Sequence, residues 1–314
     1  MTTYLIKRLI ILILTLLLVS IAIFVVMRII PGDPAQIILG LQATPEAVAA
    51  LRTQLGLDRP LTAQYVSWIG ELIQGDLGRS INYGVPIADL VIQRLAVTGP
   101  LTLIAVLFSV VISIPMGIYA ATHQNRPGDY GVMIFSQIGL AIPAFWAGLL
   151  LVLLFAVHLH WFASGGFPGW SKSFGGSIKS LLLPAVALGL IGASVLTRMT
   201  RSSLLEVLRE DYVQTARSKG LTERSVIYKH AFRNAVIPVL TILGLQIGQL
   251  MAGAIIIEQV FFLPGLGRLV YLAINQRDLP VVQAVVLFIA CVIVIVNFLV
   301  DLMYAVLDPR IRLE

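Results

Sequence analysis

An apolar run near the start of the chain restricts the fold most strongly. Residues 9–30 are almost entirely apolar, and only Thr15, Ser20 and Arg28 interrupt them. A helix of about 20 apolar residues crosses a hydrocarbon layer about 30 Å thick. The run is longer than the roughly 7–15 apolar residues of a signal peptide, and no small-residue cleavage pattern follows it. We therefore expect a retained spanning helix, with residues 1–30 as the first unit of the chain.

Further apolar runs follow along the chain. Of its 314 residues 58% are hydrophobic and 12% are charged, and the mean hydropathy is +0.93. A soluble protein carries about a quarter charged residues. We predict an all-α membrane protein whose six spans are residues 9–30, 99–121, 133–157, 181–199, 236–257 and 282–307.

Small residues and prolines distinguish some of these spans. The fourth contains Gly189, Gly192 and Ser194, and such residues let neighbouring helices approach closely in a bilayer, so we expect it to be buried. Pro115 and Pro143 fall inside the second and third spans. Proline is tolerated there when neighbouring groups satisfy the freed carbonyl, and it acts either as a hinge or as a static kink.

Basic residues predict the orientation. Of the 22 Lys and Arg residues, 13 fall on the segments that would share one side with the N-terminus, namely 1–8, 122–132, 198–235 and 308–314. Cytoplasmic loops carry an excess of Lys and Arg, so we expect both termini in the cytoplasm. The net charge of +6 follows from this rule and does not indicate nucleic-acid binding.

Two connecting segments are too long to be simple loops. Residues 31–98 are predicted to lie outside, as an extracytoplasmic cap of helices against the bundle. Thr44-Pro45-Glu46 indicates one helix start in it, and Pro60 opens a second amphipathic stretch. Residues 99–307 would form the five remaining spans with the inner segment 198–235, and residues 308–314 a cytoplasmic tail.

The inner segment 198–235 combines an apolar stripe with many basic residues. Leu205, Leu208, Tyr212 and Ala216 recur at helical spacing. Gly220 is suited to the left-handed end of a helix, Thr222 can cap a second one, and Glu223 would lie at its positive end. We predict helix, glycine and helix on the inner surface. Spacing alone suits attachment to anionic lipid equally well.

The same segment resembles the coupling loop of ATP-binding cassette importer permeases, in the branch that carries dipeptides, oligopeptides and nickel. It lacks the Glu and first Ala of the general pattern, which fits that branch. The matching positions are Asp211, Tyr212, Val213, Thr215, Ala216, Arg217, Lys219, Gly220, Leu221, His230, Ala231, Arg233, Asn234, Ala235, Ile237 and Pro238.

Five other motifs, in order along the chain, are similar to the first permease subunit of peptide systems. They are Ile30-Pro31-Gly32-Asp33-Pro34, Leu55-Gly56-Leu57-Asp58-Arg59-Pro60, Gly75-Asp76-Leu77-Gly78, Pro264-Gly265-Leu266-Gly267-Arg268 and the final stretch from Val300 to Arg312.

The resemblance implies a type I importer fold and a division of labour. This chain would form half of a gated path in a bacterial inner membrane, bind no cofactor and catalyse no reaction; the sequence has no phosphate-binding G-x-x-x-x-G-K-[ST] motif. The implied partners are a second, similar permease, two ATPase subunits that hold ATP and Mg, an extracytoplasmic substrate-binding protein and membrane lipid. The implied contacts with the ATPase are Thr215, Ala216, Arg217, Lys219, Gly220, Leu221 and Glu223.

The resemblance leaves the substrate open. Dipeptides, oligopeptides and peptide-like solutes such as glutathione fit first, and nickel chelates or other small solutes are the alternative. A self-contained secondary transporter is the alternative of a different class. Glu258, at the outer end of the fifth span, is a candidate for the substrate path. Arg28 and Asp301 lie at span ends where snorkelling is cheap, and His158 and His160 fit an interfacial belt better than a metal site.

Overall fold

The computed structural model describes residues 2–29, 34–40, 43–54 and 56–307. These residues form helices and connecting turns, and one isolated β-bridge joins Arg79 and Pro86. The helices are α1 Thr2–Ile29, α2 Pro34–Leu39, α3 Pro45–Gln54, α4 Leu61–Ile73, α5 Ile87–Thr122, α6 Pro127–Ala141, α7 Ala144–Leu151 with a π-helical extension Val152–His158, α8 Phe174–Val207, α9 Asp211–Ser218, α10 Glu223–Ser225 with a π-helical extension Val226–Ala231, α11 Phe232–Val260, α12 Leu266–Asn275 and α13 Leu279–Leu307.

The described residues contain five continuous helices that are long and apolar enough to cross a membrane, namely α1, α5, α8, α11 and α13. The third predicted span, residues 133–157, is a pair of helices bent by 104° between α6 and α7. Pro143 disfavours helical backbone at the preceding residue, and Ile142 is accordingly extended, with φ −86° and ψ 120°. The all-α fold is confirmed, but the third span is broken at a proline.

Helix α8 is the centre of the bundle, as its small residues predict. Gly189, Gly192, Ser194 and Thr197 are all buried. A Cβ on Gly189 would overlap the carbonyl oxygen of Ala105 in α5. The two backbones approach so closely because nothing larger than hydrogen separates them.

Three apolar clusters lie along the length of α5. The central cluster joins α5, α8 and α11 around Leu101, Leu181 and Ile257. A second lies at the end of the bundle near α4, hereafter the α4 end, where the first turns of α5 pack against α12 and α13. A third lies at the opposite end, hereafter the α9 end, where the last turns of α5 and α8 pack against α9 and α11.

The cap differs in part from its prediction. Helices α3 and α4 begin at Pro45 and Leu61, where Thr44-Pro45-Glu46 and Pro60 place them, but α3 has no buried residue. Residues 87–98, assigned by sequence to the cap region, are the first three turns of α5 because Ile87 and Val91 are buried against α12 and α13. Residues 30–33, Leu55, the tail 308–314 and the Asp301 side chain lie outside the described part of the chain.

Helix α4 packs on α1 through aromatic rings. The Phe24 ring centroid lies 5.4 Å from that of Tyr65 and 5.9 Å from that of Trp68. The hydroxyl oxygens of Ser20 and Tyr65 are 2.8 Å apart. The Arg28 guanidinium lies 5.2 Å from the Phe24 ring centroid, so this arginine at a span end has an aromatic neighbour.

Candidate functional site

A chain of short helices connects α8 to α11 at the α9 end. Helix α8 stops at Val207, residues 208–210 form a turn, and α9 then runs to Ser218. Beyond Gly220 the chain enters α10 and its π-helical extension. The predicted order of helix, glycine and helix is confirmed. The predicted single stripe from Leu205 to Ala216 is wrong, because the helix breaks and changes direction between those residues.

Gly220 ends α9 in a left-handed conformation. Its φ is +76°, a value that L-residues with side chains rarely adopt. The Leu221 N–H donates to the Ala216 carbonyl at 3.4 Å, and the Gly220 N–H donates to the Arg217 carbonyl at 2.9 Å. These two bonds form a Schellman motif, which satisfies the last carbonyls of the helix. Nothing lies within 4 Å of a Cβ built on Gly220, so the residue is exposed as well as conformationally special.

An ion pair closes the turn around this glycine. The Arg217 Nε donates to Glu223 Oε1 at 2.9 Å, and Nη2 lies 3.5 Å from Oε2. Thr222 does occupy the N-cap position of α10, but its side chain makes no capping hydrogen bond, contrary to the prediction. The Glu223 side chain is directed to Arg217 instead.

Two side chains of α9 anchor the segment to the bundle. Val213 is fully buried, and Ala216 is 6% exposed. Both pack in the cluster at the α9 end with Ile118, Leu204 and Val226. Ala216, predicted as an ATPase contact, therefore faces the bundle in this structure.

Polar bonds add a second attachment. Asn234 Nδ2, in the first turn of α11, donates to the Tyr212 hydroxyl at 2.7 Å. Ser203 Oγ, near the end of α8, donates to the Ala235 carbonyl at 2.9 Å. These contacts join α9 and the end of α8 to the first turn of α11.

The remaining predicted contact residues face outward. Arg217 is partly exposed, and its side chain lies beside the turn at Gly220. Leu221 exposes 40% of its surface at the tip of the segment. The structure therefore brings one apolar side chain and several charged ones together on an exposed ridge, hereafter the α9–α10 ridge, whose residues are Thr215, Arg217, Lys219, Gly220, Leu221 and Glu223.

A cavity of about 480 Å³ lies behind the ridge, between it and the last turns of α5 and α8. Three arginines and one glutamate line it together with apolar side chains. The lining residues are Ala121, Thr122, Gln124, Arg126, Leu205, Leu208, Arg209, Arg217, Glu223 and Ile227.

A buried ion pair near the ridge has no sequence signal. Arg201 in α8 binds Asp129 in the first turn of α6 in a bidentate manner, Nε to Oδ1 and Nη2 to Oδ2 both at 2.6 Å. Asp129 is 1% exposed and also accepts from the Asn125 N–H at 3.0 Å. From the sequence, Arg201 is only one of the basic residues that predict the orientation of the chain in the membrane, because its partner is 72 residues away.

Glu258 lies at the α4 end of α11 and is fully buried. Its Oε1 accepts a hydrogen bond from the Thr98 hydroxyl at 2.6 Å, and its Oε2 accepts one from the Arg268 backbone N–H at 3.0 Å. The Thr98 oxygen accepts in turn from the Leu266 N–H at 2.8 Å. The role of Glu258 in the substrate path stays a prediction. The carboxylate joins α5, α11 and the start of α12.

Two glycines permit this arrangement. A Cβ on Gly265 would overlap the Glu258 carboxylate, and a Cβ on Gly267 would overlap the backbone of Ile255. The two glycines of the motif Pro264-Gly265-Leu266-Gly267-Arg268 therefore let the chain lie directly on α11.

Asp278, in the turn between α12 and α13, forms a similar attachment to residues 80–82, which precede α5. It is fully buried, and it accepts from the Ser80 hydroxyl at 2.5 Å and from the backbone N–H groups of Ile81 and Asn82 at 3.2 and 3.1 Å. Its partners are almost 200 residues distant in sequence, so no local pattern predicts the contact.

Two family models match this chain, and together they cover most of its length. The family model "Binding-protein-dependent transport system inner membrane component" matches residues 113–313. The model of the corresponding N-terminal region, "Binding-prot-dependent transport system membrane comp, N-term", matches residues 1–102.

Curated relatives match over nearly their full length. A permease protein of Brucella abortus, whose name assigns it to peptide transport, is 44% identical and covers 100% of both chains. The dipeptide transport system permease protein of Alkalihalophilus pseudofirmus is 42% identical over 99% of this chain and 100% of its own. The glutathione transport system permease protein of Salmonella choleraesuis is 41% identical over 99% of both. The chain belongs to the family of binding-protein-dependent transport system inner membrane components, the permease subunits of ATP-binding cassette importers.

Proposed function

We propose that this chain forms half of the translocation path for short peptides or peptide-like solutes such as glutathione. The support is that relatives named for peptides, dipeptides and glutathione align with it from end to end. The chain itself provides a path and breaks no bond. Transport is driven by separate ATPase subunits, which hold the ATP and Mg.

The α9–α10 ridge carries this proposal. It is an exposed turn, yet Val213 and Ala216 beside it are buried in the cluster with α5, α8 and α11, and the Asn234–Tyr212 hydrogen bond joins α9 to α11. Such a segment can transmit a push from a bound protein to three spans. We assign ATPase docking to Thr215, Arg217, Lys219, Gly220, Leu221 and Glu223, and we assign Ala216 to anchoring.

The remaining partners follow from symmetry and charge. A chain with one ridge and one set of spans needs a second, similar permease to enclose a path, two ATPase subunits and an extracytoplasmic binding protein. The α9 end carries exposed arginines such as Arg209 and Arg224. Under the positive-inside rule this end faces the cytoplasm, and both termini lie there with it. The exposed apolar faces of α1 and α5 would contact lipid or the second permease.

Gly220→Glu tests the docking assignment. We expect the variant to insert into the membrane at the normal level, to lose the co-purifying ATPase and to lose peptide uptake. A glutamate at this exposed turn adds bulk and negative charge where the ATPase would bind. The measurements are membrane abundance, affinity co-purification and uptake of a labelled dipeptide.

Gly75→Glu is the matched control. Gly75 ends α4 at the opposite end of the bundle with φ +82°, the same pair of Schellman bonds, and nothing within 4 Å of a built Cβ. Both variants therefore incur the same strain of a left-handed non-glycine residue, about 1 kcal/mol. Retention of the ATPase by Gly220→Glu, or its equal loss in Gly75→Glu, would contradict the assignment.

A further inference from the structure

Two arginines line a small cavity at the α4 end of the bundle. The cavity has a volume of about 220 Å³, and its walls are Arg94, Pro264, Arg268, Leu269 and Leu272. Arg94 belongs to α5, Pro264 to the turn before α12, and the other three residues to α12. Under the proposed orientation this end faces outward, where a solute enters from the binding protein.

The positions of both arginines are set by one hydrogen-bond network. Thr98, one helical turn from Arg94, donates to Glu258 and accepts from the Leu266 N–H. The Arg268 N–H donates to the same carboxylate. The Gly265 and Gly267 contacts with α11 hold this stretch of backbone in place. The two guanidinium groups thus extend from a shared and rigid support, which is what recognition of a ligand in one fixed geometry requires.

The hydrogen-bonding capacity of these arginines is largely unused. Arg94 Nη1 lies 3.5 Å from the Pro264 carbonyl, a long contact, and its Nε is buried without a partner. The Arg268 guanidinium lies 5.6 Å from the centre of the Phe262 ring. In the described part of the chain, no Asp or Glu oxygen lies within 4.0 Å of either guanidinium.

A carboxylate is the group that fits these two side chains. The Glu258 carboxylate is bonded to the Thr98 hydroxyl and to the Arg268 backbone N–H instead of to a guanidinium group. The carboxylate of a ligand would accept the unused guanidinium N–H groups, because the guanidinium fork matches carboxylate geometry.

We propose that this cavity receives the carboxylate of the transported solute, which for a short peptide is its C-terminal carboxylate. Leu269 and Leu272 would then form an apolar wall for the adjacent side chain. The proposal rests on the proposed function and orientation, and it adds a specificity site within the permease to the selection made by the binding protein.

The test uses the complete transporter, with its partner permease, ATPases and binding protein, reconstituted in proteoliposomes. Uptake of alanyl-phenylalanine is compared with uptake of its C-terminal amide, each at a concentration that saturates the binding protein. The variants are Arg94→Gln, Arg268→Gln and the charge-retaining Arg94→Lys and Arg268→Lys. Arg277→Gln is the control, since Arg277 is an exposed arginine at the same end but outside the cavity.

We expect each Gln variant to lower uptake of the free dipeptide roughly tenfold and to leave uptake of the amide unchanged, since one charge-assisted hydrogen bond is lost. The Lys variants should lose about threefold or less, and Arg277→Gln nothing. Because the binding protein is the same throughout, a change in the ratio between the two peptides reports on the permease. If the binding protein does not load the amide, the difference between Gln and Lys variants on the free dipeptide decides alone.

Three outcomes would overturn this inference without contradicting the proposed function. The first is an unchanged ratio of dipeptide uptake to amide uptake in the Gln variants, and the second is an equal loss of uptake for both peptides, which a lipid-headgroup or purely structural role would produce. The third is an equal loss of uptake in the Gln and Lys variants. Wild-type transporter that takes up neither peptide, while its ATPase still responds to the binding protein, would instead contradict the proposed function.

Discussion

The two ends of the bundle are held together in different ways. At the α4 end, the buried carboxylates of Glu258 and Asp278 accept hydrogen bonds from the Thr98 and Ser80 hydroxyls, which are 160 and 198 positions away. At the α9 end, the bonds that shape the ridge join residues six or fewer apart around Gly220. Long-range attachment there rests on a few buried apolar side chains, on Tyr212–Asn234 and on the Asp129–Arg201 pair.

The difference matches what each end would have to do. A region that recognises a solute needs fixed geometry, which buried and fully bonded carboxylates provide. A segment that receives force from an ATPase needs an exposed surface and firm but few attachments, so that it can move as a unit with the spans. The predictions below test how far this contrast holds.

Arg201→Ala is expected to cause the largest loss of stability, and it lies at the α9 end. It leaves the Asp129 carboxylate buried with no cation, a change that typically costs about 3–5 kcal/mol. We expect about 3 kcal/mol, because the Arg201 side chain is 22% exposed and some water can reach the site. The measurement is the apparent Tm of the purified protein in detergent.

The double variant Asp129→Ala with Arg201→Met is the control for this pair. Removing both charges leaves no unpaired ion, so its Tm should lie above that of Arg201→Ala. A double variant that is no more stable than the single one would show that the pair does not attach α6 to α8 as proposed.

Gly267→Ala is expected to have the next largest effect and concerns the rigid α4 end. Its Cβ would overlap backbone atoms of Ile255, and a rotamer change cannot relieve a clash with backbone. Overpacking of this kind costs about 1–3 kcal/mol, and we expect the upper part of that range. The Tm in detergent is again the measurement, with uptake measured beside it.

Gly131→Ala is the matched control for this substitution. Gly131 lies within α6 with nothing within 4 Å of a built Cβ. Alanine should be neutral there or stabilise the helix by up to about 1 kcal/mol. Equal Tm values for Gly267→Ala and Gly131→Ala would mean that the start of α12 is not held rigidly on α11.

Sequence predicts the turn at Gly220 well and the contacts of the α4 end poorly. The Schellman motif at Gly220 is made by bonds among neighbouring residues, so its signal is contained in a few consecutive letters. Span positions are readable for a similar reason, since a bilayer selects length and hydropathy within one helix. The burial of α8 follows from its own small residues, such as Gly189.

Features that distant residues decide are not readable from the sequence. Glu258 has the sequence features of a charge at a span end, and its contact with Thr98 exists only in the folded chain. The start of α5 at Ile87 likewise depends on packing against α12 and α13.

Two other differences are local. The sequence places Pro143 inside the third span but does not decide between a hinge and a static kink, and the break follows from the extended backbone at Ile142. The turn at residues 208–210 separates Leu205 from the residues of α9, although all of them follow one helical spacing.

Glu223→Gln is expected to have the smallest effect on stability, and it sharpens the contrast most. Its partner Arg217 is one-third exposed and Glu223 itself is 63% exposed, and surface pairs of this kind contribute about 0.5 kcal/mol or less. We therefore expect no measurable change in Tm, whereas uptake should fall roughly two- to threefold if the ridge docks on the ATPase.

Arg217→Gln removes the same pair from the other side and serves as the comparison for stability. A drop in Tm as large as that of Arg201→Ala would mean that the ridge is held together by its surface charges. A normal Tm with normal uptake would instead remove Glu223 from the docking surface and leave Gly220 and Leu221 as its centre.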